Sequence, residues 1–275
     1  MNVLQGIILG LIQGLTEFLP VSSSGHLVLG QKWFGLTEPA LFFDISVHMG
    51  TLGAVLVVFF PDIRQLVSAF FRVVFTRDTE TGWVERIRRD EYAFLVWLIM
   101  IGSVPTALIG LFLKRFEHLL FSSLLLVGCM LIVTGFLLWV SRFIRPVPEK
   151  EGRVTVKRAI LVGIVQGLAV IPGISRSGAT IVAGTAMGIE RSLAARFSFL
   201  LSIPAILGAQ LLGIRDLAAS GGTVDMAIIC GTIAAFLSGW CALVVLLNIV
   251  KAGRFYLFAP YCWFVGALAI LAAVI

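Results

Sequence analysis

The sequence predicts an all-α, polytopic membrane protein with about six transmembrane helices and two re-entrant helical hairpins related by an inverted-topology repeat. Of its 275 residues, 59% are hydrophobic and 13% are charged, and the mean hydropathy of +1.03 lies outside the usual range of soluble domains. A polar motif at residues 13–26 recurs in degenerate form at residues 166–180. We therefore expect one integral membrane domain, residues 1–275, with residues 1–145 and 154–275 as its two repeats.

Apolar runs place the predicted spans. Four runs are long enough to cross a hydrocarbon core of about 30 Å and contain no charged residue. They are residues 92–113, 119–141, 226–250 and 255–275. Two weaker candidates are residues 41–60, which carry Asp44 and His48, and residues 197–214, which Pro204 interrupts.

Basic residues predict the orientation of these spans, because Lys and Arg concentrate in cytoplasmic loops. Eleven of the 21 Lys and Arg residues lie in two loops, near residues 72–91 and 142–158, and both loops are expected to be cytoplasmic. No Lys or Arg precedes Lys32, so no signal-peptide n-region is expected and the N-terminus is predicted outside. The second repeat is then predicted to cross the membrane in the orientation opposite to that of the first repeat. The loop residues are Arg72, Arg77, Arg86, Arg88 and Arg89, and Arg142, Arg145, Lys150, Arg153, Lys157 and Arg158.

Each motif copy follows an apolar limb that is too short to span comfortably. The limbs, residues 3–19 and 159–171, end at Pro20 and Pro172, and Ser and Gly residues follow. Broken helices of this kind line a polar site near the membrane midplane in proteins with inverted repeats. A small-residue stripe on each limb predicts close helix packing. The stripes are Gly6, Gly10 and Gly14, and Ala159, Gly163 and Gly167.

The two copies, QGLTEFLPVSSSGH and QGLAVIPGISRSGAT, differ at the positions that could carry chemistry. Glu17, Ser23 and His26 align with Val170, Arg176 and Ala179 at a constant offset of 153 residues. One copy therefore holds a carboxylate and an imidazole, and the other holds a guanidinium. We expect one asymmetric site built from both halves.

Glu17 is the strongest candidate in the first copy. An ionised carboxylate in an apolar segment is costly and therefore suggests a functional group with a partner. Gln13 lies on the same helix face, four residues earlier. Glu17 is predicted to be a metal ligand or a general acid or base, and the alternative is a helix-end carboxylate at the membrane interface.

The serine turn, Ser22 to Ser24, precedes His26 by a few residues. A hydroxyl three residues from an imidazole predicts a hydrogen-bonded nucleophile and base, with Ser23 attacking and His26 moving the proton. The alternative is that these serines cap a helix and satisfy backbone groups freed at the break.

Arg176 predicts a phosphate site in the second copy. Its planar, permanently charged guanidinium suits a phosphate, and Ser175, Ser177 and Thr180 supply further donors. A helix starting in this turn would direct its N-terminus at the anion. The alternative partner of Arg176 is Glu17, in a buried ion pair.

Outside the motifs, Asp44 and His48 are four residues apart and form either a second polar face of the site or a hydrogen-bonded pair that stabilises a helix crossing. Arg191 and Arg196 are expected at a membrane interface, outside the site.

These motifs resemble those of the bacterial undecaprenyl-diphosphate phosphatase family, which is linked to bacitracin resistance. The resemblance extends over the whole chain and includes residues 43–44, 48–51, 187–191 and 197–201. It implies hydrolysis of undecaprenyl diphosphate to undecaprenyl phosphate and inorganic phosphate, which recycles the carrier lipid for peptidoglycan synthesis. The implied catalytic residues are Glu17, Ser23, His26 and Arg176, and the implied substrate-binding set is Gln13, Ser22, Ser24, Ser175, Ser177 and Thr180, with Asp44 and His48.

The resemblance also implies a divalent cation, Mg²⁺ or Ca²⁺, bound in part by Glu17. Many members carry a carboxylate where this chain has Gln13, which weakens a two-carboxylate metal site. The expected partners are the polyprenyl substrate and membrane lipids, without nucleic acid, and a homodimer is one expected assembly. The expected location is the bacterial inner membrane, with the site facing the outer side.

Two other classes of function fit part of the pattern. A lipid-phosphate flippase would use the same anion-binding arginine and broken helices, yet it has no need for Glu17 and His26 beside a hydroxyl. A purely structural membrane subunit leaves the three unlike polar side chains of the repeat unexplained.

Overall fold

The structure, a computed structural model, describes residues 1–36, 41–75, 82–148, 151–220 and 225–274, with the backbone alone at Leu41 and residues 214–220. Arg77, Lys150 and Ile275 lie outside the described residues. The described chain is all helical, as predicted. Its helices are α1 (Val3–Phe18), α2 (Ser23–Trp33), α3 (Leu41–Val58), α4 (Phe60–Phe75), α5 (Trp83–Arg89), α6 (Glu91–Lys114), α7 (Glu117–Ser122), α8 (Leu124–Val140), α9 (Val156–Leu168), α10 (Arg176–Ala186), α11 (Arg191–Ser220), α12 (Met226–Lys251) and α13 (Ala259–Val274).

Five helical segments in the described residues are long and apolar enough to cross a membrane. They include α6 and α12, and the others are Leu124–Phe143, Arg191–Gly213 and Phe255–Val274. The pair α3 and α4 makes a sixth if it is counted as one broken span. This confirms the prediction of about six spans.

Three predicted spans have different bounds in the structure. The run 119–141 is divided at Ser123, whose hydroxyl caps α8 by accepting a hydrogen bond from the Leu126 amide at 3.2 Å. The run 41–60 ends at Val58, and the chain then bends by 79° into α4. Pro204 does not interrupt α11, which continues through it, because membrane helices tolerate proline where neighbouring groups satisfy the freed backbone.

Helix α4 was not predicted, and its sequence divides into three faces. Leu66, Ala69 and Val73 are buried against the protein. Arg64, Gln65, Ser68 and Arg72 form a polar face, whereas Val67, Phe70, Phe71, Val74 and Phe75 form an exposed apolar face. This pattern and the sharp bend before it are typical of a helix that lies in the plane of the membrane interface.

The two motif copies form two helical hairpins with matching bounds. Helices α1 and α9 begin at Val3 and Val156, and helices α2 and α10 cover Ser23–Trp33 and Arg176–Ala186, all at the offset of 153 residues. Helix α1 packs along α12, and α9 packs along α6. The inversion of one half relative to the other across the membrane stays a prediction.

The small-residue stripes lie at these two helix contacts, which confirms their predicted packing role. A Cβ on Gly10 would lie 2.1 Å from the Gly231 carbonyl oxygen, and a Cβ on Gly163 would lie 2.0 Å from the Gly102 carbonyl oxygen. Small residues let the two backbones approach to this distance. The hairpins are therefore held against α12 and α6 by backbone contact.

We expect Gly163→Ala to destabilise the fold, because the added methyl meets the rigid backbone of α6 rather than a movable side chain. Overpacking of this kind costs about 1–3 kcal/mol. Thermal unfolding of the detergent-solubilised protein would show a lower midpoint. Gly208→Ala is the control, since no heavy atom lies within 4 Å of its added Cβ. Equal midpoints for the two variants would contradict the prediction.

Candidate active site

A buried ion pair joins the two motif copies. Glu17 lies in the last turn of α1, and Arg176 is the first residue of α10. An Nη2 hydrogen of Arg176 bonds to Oε1 of Glu17, and only 6% of the Glu17 side chain and 16% of the Arg176 side chain are exposed. Glu17 is therefore the partner of Arg176, which was the ion-pair alternative suggested by the sequence. The site contains residues from both halves of the chain.

Three more polar groups surround the Glu17 carboxylate. Its Oε2 accepts hydrogen bonds from Gln13 Nε2 at 2.9 Å and from Ser23 Oγ at 2.5 Å. His48 Nε2 lies 3.9 Å from the same oxygen. A buried carboxylate loses the solvation of water and needs such partners to stay charged. The carboxylate is buried and faces the protein interior, with 6% of the Glu17 side chain exposed.

Ser22 has an unusual backbone conformation at the start of α2. Its φ is 70°, which in the described chain is the one positive φ of a non-glycine residue, and such a conformation is strained. Its hydroxyl accepts hydrogen bonds from the amides of Gly25 at 3.4 Å and Gly173 at 3.1 Å. Ser22 therefore caps α2 and connects the two turns.

His26 does not pair with Ser23, so that prediction is wrong. Its Nδ1 lies 2.8 Å from the Ser22 carbonyl oxygen, and its Nε2 lies 2.8 Å from the hydroxyl of Tyr261. A carbonyl only accepts, so Nδ1 carries a proton. The physical reason is that a helical side chain points towards the preceding turn, which brings the ring to the carbonyl four residues earlier. Ser23 donates to Glu17 instead.

The other predicted hydroxyls form bonds within each turn, and Ser177 also bonds across to the first motif copy. Ser175 accepts from the Gly178 amide at 3.1 Å, Ser177 donates to the Phe18 carbonyl at 2.9 Å, and Thr180 donates to the Arg176 carbonyl at 2.7 Å. The hydroxyl of Ser24 is 3.4 Å from that of Ser22. Of the serines in the first turn, Ser23 is the one whose hydroxyl bonds to the carboxylate.

Asp44 and His48 do not form a carboxylate–imidazole pair. His48 Nδ1 donates to the main-chain carbonyl of Asp44 at 2.7 Å, and the Asp44 carboxylate accepts from Gln31 Nε2 at 2.6 Å. His48 nevertheless reaches Glu17, as described above, so the second polar face does adjoin the first. Asp44 instead connects α3 to α2 through Gln31.

Two arginines after the second motif lie elsewhere, as predicted. Arg196 forms an ion pair with Asp62 and lies over the ring of Tyr92. Arg191 donates to the Ile144 carbonyl at 3.3 Å. Neither bonds to Glu17 or Arg176, so the guanidinium of the site is that of Arg176.

Known proteins match this sequence along almost its entire length. The family model for the bacitracin resistance protein BacA matches residues 6–268. The chain belongs to the BacA family. An undecaprenyl-diphosphatase of Desulforapulum autotrophicum is 54% identical over 272 residues, which cover 99% of both chains. Proteins of the same name from Desulfosudis oleivorans and Methanosphaera stadtmanae are 54% and 39% identical, with at least 98% of each chain covered.

Two buried polar atoms of this BacA-family site lack a partner among the described residues. They are Oε1 of Gln13 and Nη1 of Arg176. An unpaired buried polar group is costly, and these two offer one acceptor and one cationic donor beside Glu17. The site can therefore take a ligand that has both positive and negative groups, such as a phosphate with a cation.

The oxygen donors of Glu17 and Gln13 fit part of the coordination of a hard divalent cation, which a phosphate ligand would complete. Within the described residues, no group of three or more His, Cys, Asp or Glu side chains could hold a metal. The carboxylate of Glu17 and the amide oxygen of Gln13 are oxygen donors of the kind that Mg²⁺ and Ca²⁺ accept. Magnesium in particular is often bound by one or two protein groups and completed by substrate phosphates.

Two contacts of this site were missed by sequence reasoning: Tyr261 at His26 and Gln31 at Asp44. Tyr261 lies 235 residues from His26 in a predicted apolar span. The one sequence feature that could have indicated this contact is its hydroxyl, since the chain has three tyrosines.

Proposed function

We propose that this BacA-family chain hydrolyses undecaprenyl diphosphate to undecaprenyl phosphate and inorganic phosphate. The names of its relatives at 54% identity support this activity. The observation that carries it in the structure is the buried contact of Ser23 and Arg176 with one carboxylate, Glu17, at the breaks of two apolar hairpins. The product is the carrier lipid of cell-wall synthesis, and recycling it accounts for bacitracin resistance.

Arg176 binds the terminal phosphate in this proposal. The ion pair with Glu17 is the resting state, and the unpartnered Nη1 is the donor that remains available to an entering anion. A guanidinium can contact two phosphate oxygens at once, which fixes the orientation of the phosphorus as well as its charge. Thr180 donates to the main-chain carbonyl of Arg176 and Ser175 caps α10, so these hydroxyls stabilise the start of the helix that carries the arginine.

Ser23 is the proposed nucleophile, and Glu17 is the proposed base. The hydroxyl proton of Ser23 already lies on a hydrogen bond to Glu17 Oε2. Attack of Oγ on the terminal phosphorus transfers that proton to Glu17, breaks the bond to the bridging oxygen and releases undecaprenyl phosphate. A water molecule then cleaves the phosphoserine, which releases inorganic phosphate and returns the proton to Ser23. Direct attack by water on the diphosphate is the competing route.

A divalent cation, Mg²⁺ or Ca²⁺, would be held by Glu17 and Gln13 together with the diphosphate. When bound, it would neutralise negative charge on the phosphoryl oxygens. Gln13 is neutral, so the protein supplies one negative ligand rather than two.

The membrane arrangement that we propose has both hairpins re-entrant and the halves inverted. In this arrangement the second hairpin enters from the cytoplasmic side and the first from the outer side, which the positions of the basic loops favour. The matching bounds of the hairpins and their contact at Glu17 and Arg176 support this arrangement. We propose the inner membrane as the location and the outer face as the side from which the substrate enters.

The test is phosphate release from C15 to C55 prenyl diphosphates by the detergent-purified protein. We expect EDTA to lower the rate by about a hundredfold, the scale of losing one charge-stabilising group, and added Mg²⁺ or Ca²⁺ to restore it. A monophosphate prenyl lipid is the control substrate and should release none. Bound lipid without phosphate release would contradict the hydrolase and indicate a carrier site, to be tested by lipid flipping in liposomes.

A further inference from the structure

The imidazole of His26 is held from both sides. The Ser22 carbonyl accepts the Nδ1 hydrogen at 2.8 Å, and the Tyr261 hydroxyl lies 2.8 Å from Nε2. The rings of His26 and Tyr261 are nearly parallel, at 6°, with centroids 5.6 Å apart. The orientation and the tautomer of the imidazole are therefore both specified.

Helix α13 supports the serine turn through two consecutive residues. Tyr261 contacts His26, and the buried thiol of Cys262 lies 3.6 Å from the Pro20 carbonyl oxygen. The positive φ of Ser22 occurs in the same turn, and the carbonyl of this strained residue is the one that accepts from His26. Strain of this kind persists only where the surrounding structure holds it in place, and α13 supplies part of that support.

The hydroxyl of Tyr261 has a specific chemical consequence. With Nδ1 donating to a carbonyl, the neutral ring has its lone pair on Nε2, and the phenol donates to that lone pair. A phenylalanine at this position would keep the stacked ring and lose only this hydrogen bond. Tyr261 is 45% exposed on a segment that is long and apolar enough to cross a membrane, and an unpaired hydroxyl in hydrocarbon would be costly.

We propose that Tyr261 is a positioning residue whose hydroxyl, hydrogen-bonded to Nε2, holds the imidazole of His26 in its orientation beside the serine turn. That His26 takes part in the reaction is the prediction from the sequence, and it rests on the proposed phosphatase function. The contact between Tyr261 and His26 does not, so the two can be tested separately.

The first experiment measures the reaction of His26 with diethylpyrocarbonate, followed by peptide mass spectrometry. This reagent modifies the unprotonated imidazole nitrogen, so a hydrogen bond to Nε2 protects it. We expect Tyr261→Phe to speed modification of His26 by about fivefold, the ratio that loss of one net hydrogen bond produces. Modification of His48 and His118 in the same sample serves as the internal reference.

The second experiment measures kcat and KM for phosphate release. Tyr261→Phe should lower kcat by about fivefold with KM unchanged, and the loss should disappear in a His26→Ala background, because the two residues act as one unit. Tyr256→Phe is the matched control, since the Tyr256 ring contacts Arg142 and not His26. Thermal unfolding at the wild-type midpoint would show that Tyr261→Phe is folded.

Either unchanged modification of His26 or an unchanged kcat in Tyr261→Phe would overturn the proposal. An equal kcat loss in the presence and absence of His26 would also overturn it, because Tyr261 would then act elsewhere. If the wild-type protein released no phosphate, the proposed function would fail, while the modification rates would still decide whether Tyr261 holds His26.

Discussion

Replacing Arg176 with alanine is expected to lower kcat/KM for phosphate release by about a thousandfold, at the upper end of the effects seen when one charge-stabilising donor is removed. Arg176 is the cation in direct contact with Glu17, and its free Nη1 is the donor that we assign to the phosphate. Steady-state release from a prenyl diphosphate, with saturating Mg²⁺, measures the loss.

A second effect of this substitution has to be separated from the first. Removing one member of a buried ion pair leaves the other charge unpaired, which destabilises a protein by about 3–5 kcal/mol. Arg176→Lys keeps a positive charge but lacks the planar fork, so we expect it to fold and to retain an intermediate rate. Thermal unfolding of both variants distinguishes a folded, inactive protein from an unfolded one.

Arg196→Ala is the control, because Arg196 forms a second, partly buried arginine–carboxylate pair, with Asp62, in which 29% and 23% of the side chains are exposed. Its loss should leave kcat/KM near the wild-type value. A folded Arg176→Ala protein with a rate close to that of wild type would exclude Arg176 as the phosphate-binding group. A similar loss in both variants would show that the effect comes from ion-pair loss in general.

The charged residues of the site could be predicted from sequence because charge is costly in an apolar segment. Glu17 and Arg176 each lie in a repeated motif within hydrophobic runs, so each required a partner. The structure places them in contact. The motifs do not specify the direction in which each side chain points. That direction decides which of two neighbouring groups becomes its hydrogen-bond partner.

His26 illustrates the limit of motif spacing. A spacing of three residues allowed a bond to Ser23, but helix α2 begins at Ser23 itself, and helical geometry directs the ring back to the Ser22 carbonyl. Carbonyl groups are present at every residue and give no sequence signal. Tyr261 lies in an apolar run on the last helix, so its contact with His26 depends on tertiary packing.

The fold was predictable to the extent that hydropathy determines it. Runs of apolar residues marked the long helices, and small-residue stripes marked the contacts of α1 and α9. The 79° bend between α3 and α4 was not predicted. The apolar run that predicted α3 ends at residue 60, and polar residues begin at Asp62, so the sequence that follows gave no signal of a spanning helix. A helix with one polar and one apolar exposed face has the pattern of a helix at a membrane surface, which a search for long apolar runs does not detect.

Ser23→Ala is expected to abolish turnover almost completely, with a loss of about a thousandfold or more, because removal of a nucleophile disables the whole catalytic unit. The hydroxyl that is lost is the one bonded to Glu17 at 2.5 Å. Folding should be retained, since Glu17 keeps its bonds to Gln13 and Arg176. Phosphate release and acid-quenched labelling with a substrate radiolabelled in its terminal phosphate are the measurements.

Wild-type protein should retain label on Ser23 after a single turnover, and the Ser23→Ala variant should retain none. Ser24→Ala is the matched control: the family resemblance implied that Ser24 binds substrate, but its hydroxyl lies near that of Ser22 and does not bond to Glu17. We expect that variant to keep a rate near that of wild type. Near-normal turnover by Ser23→Ala would rule out the phosphoserine route and make water the nucleophile, with Glu17 as its base. Loss of turnover without any wild-type label would instead limit Ser23 to orienting that water through its bond to Glu17.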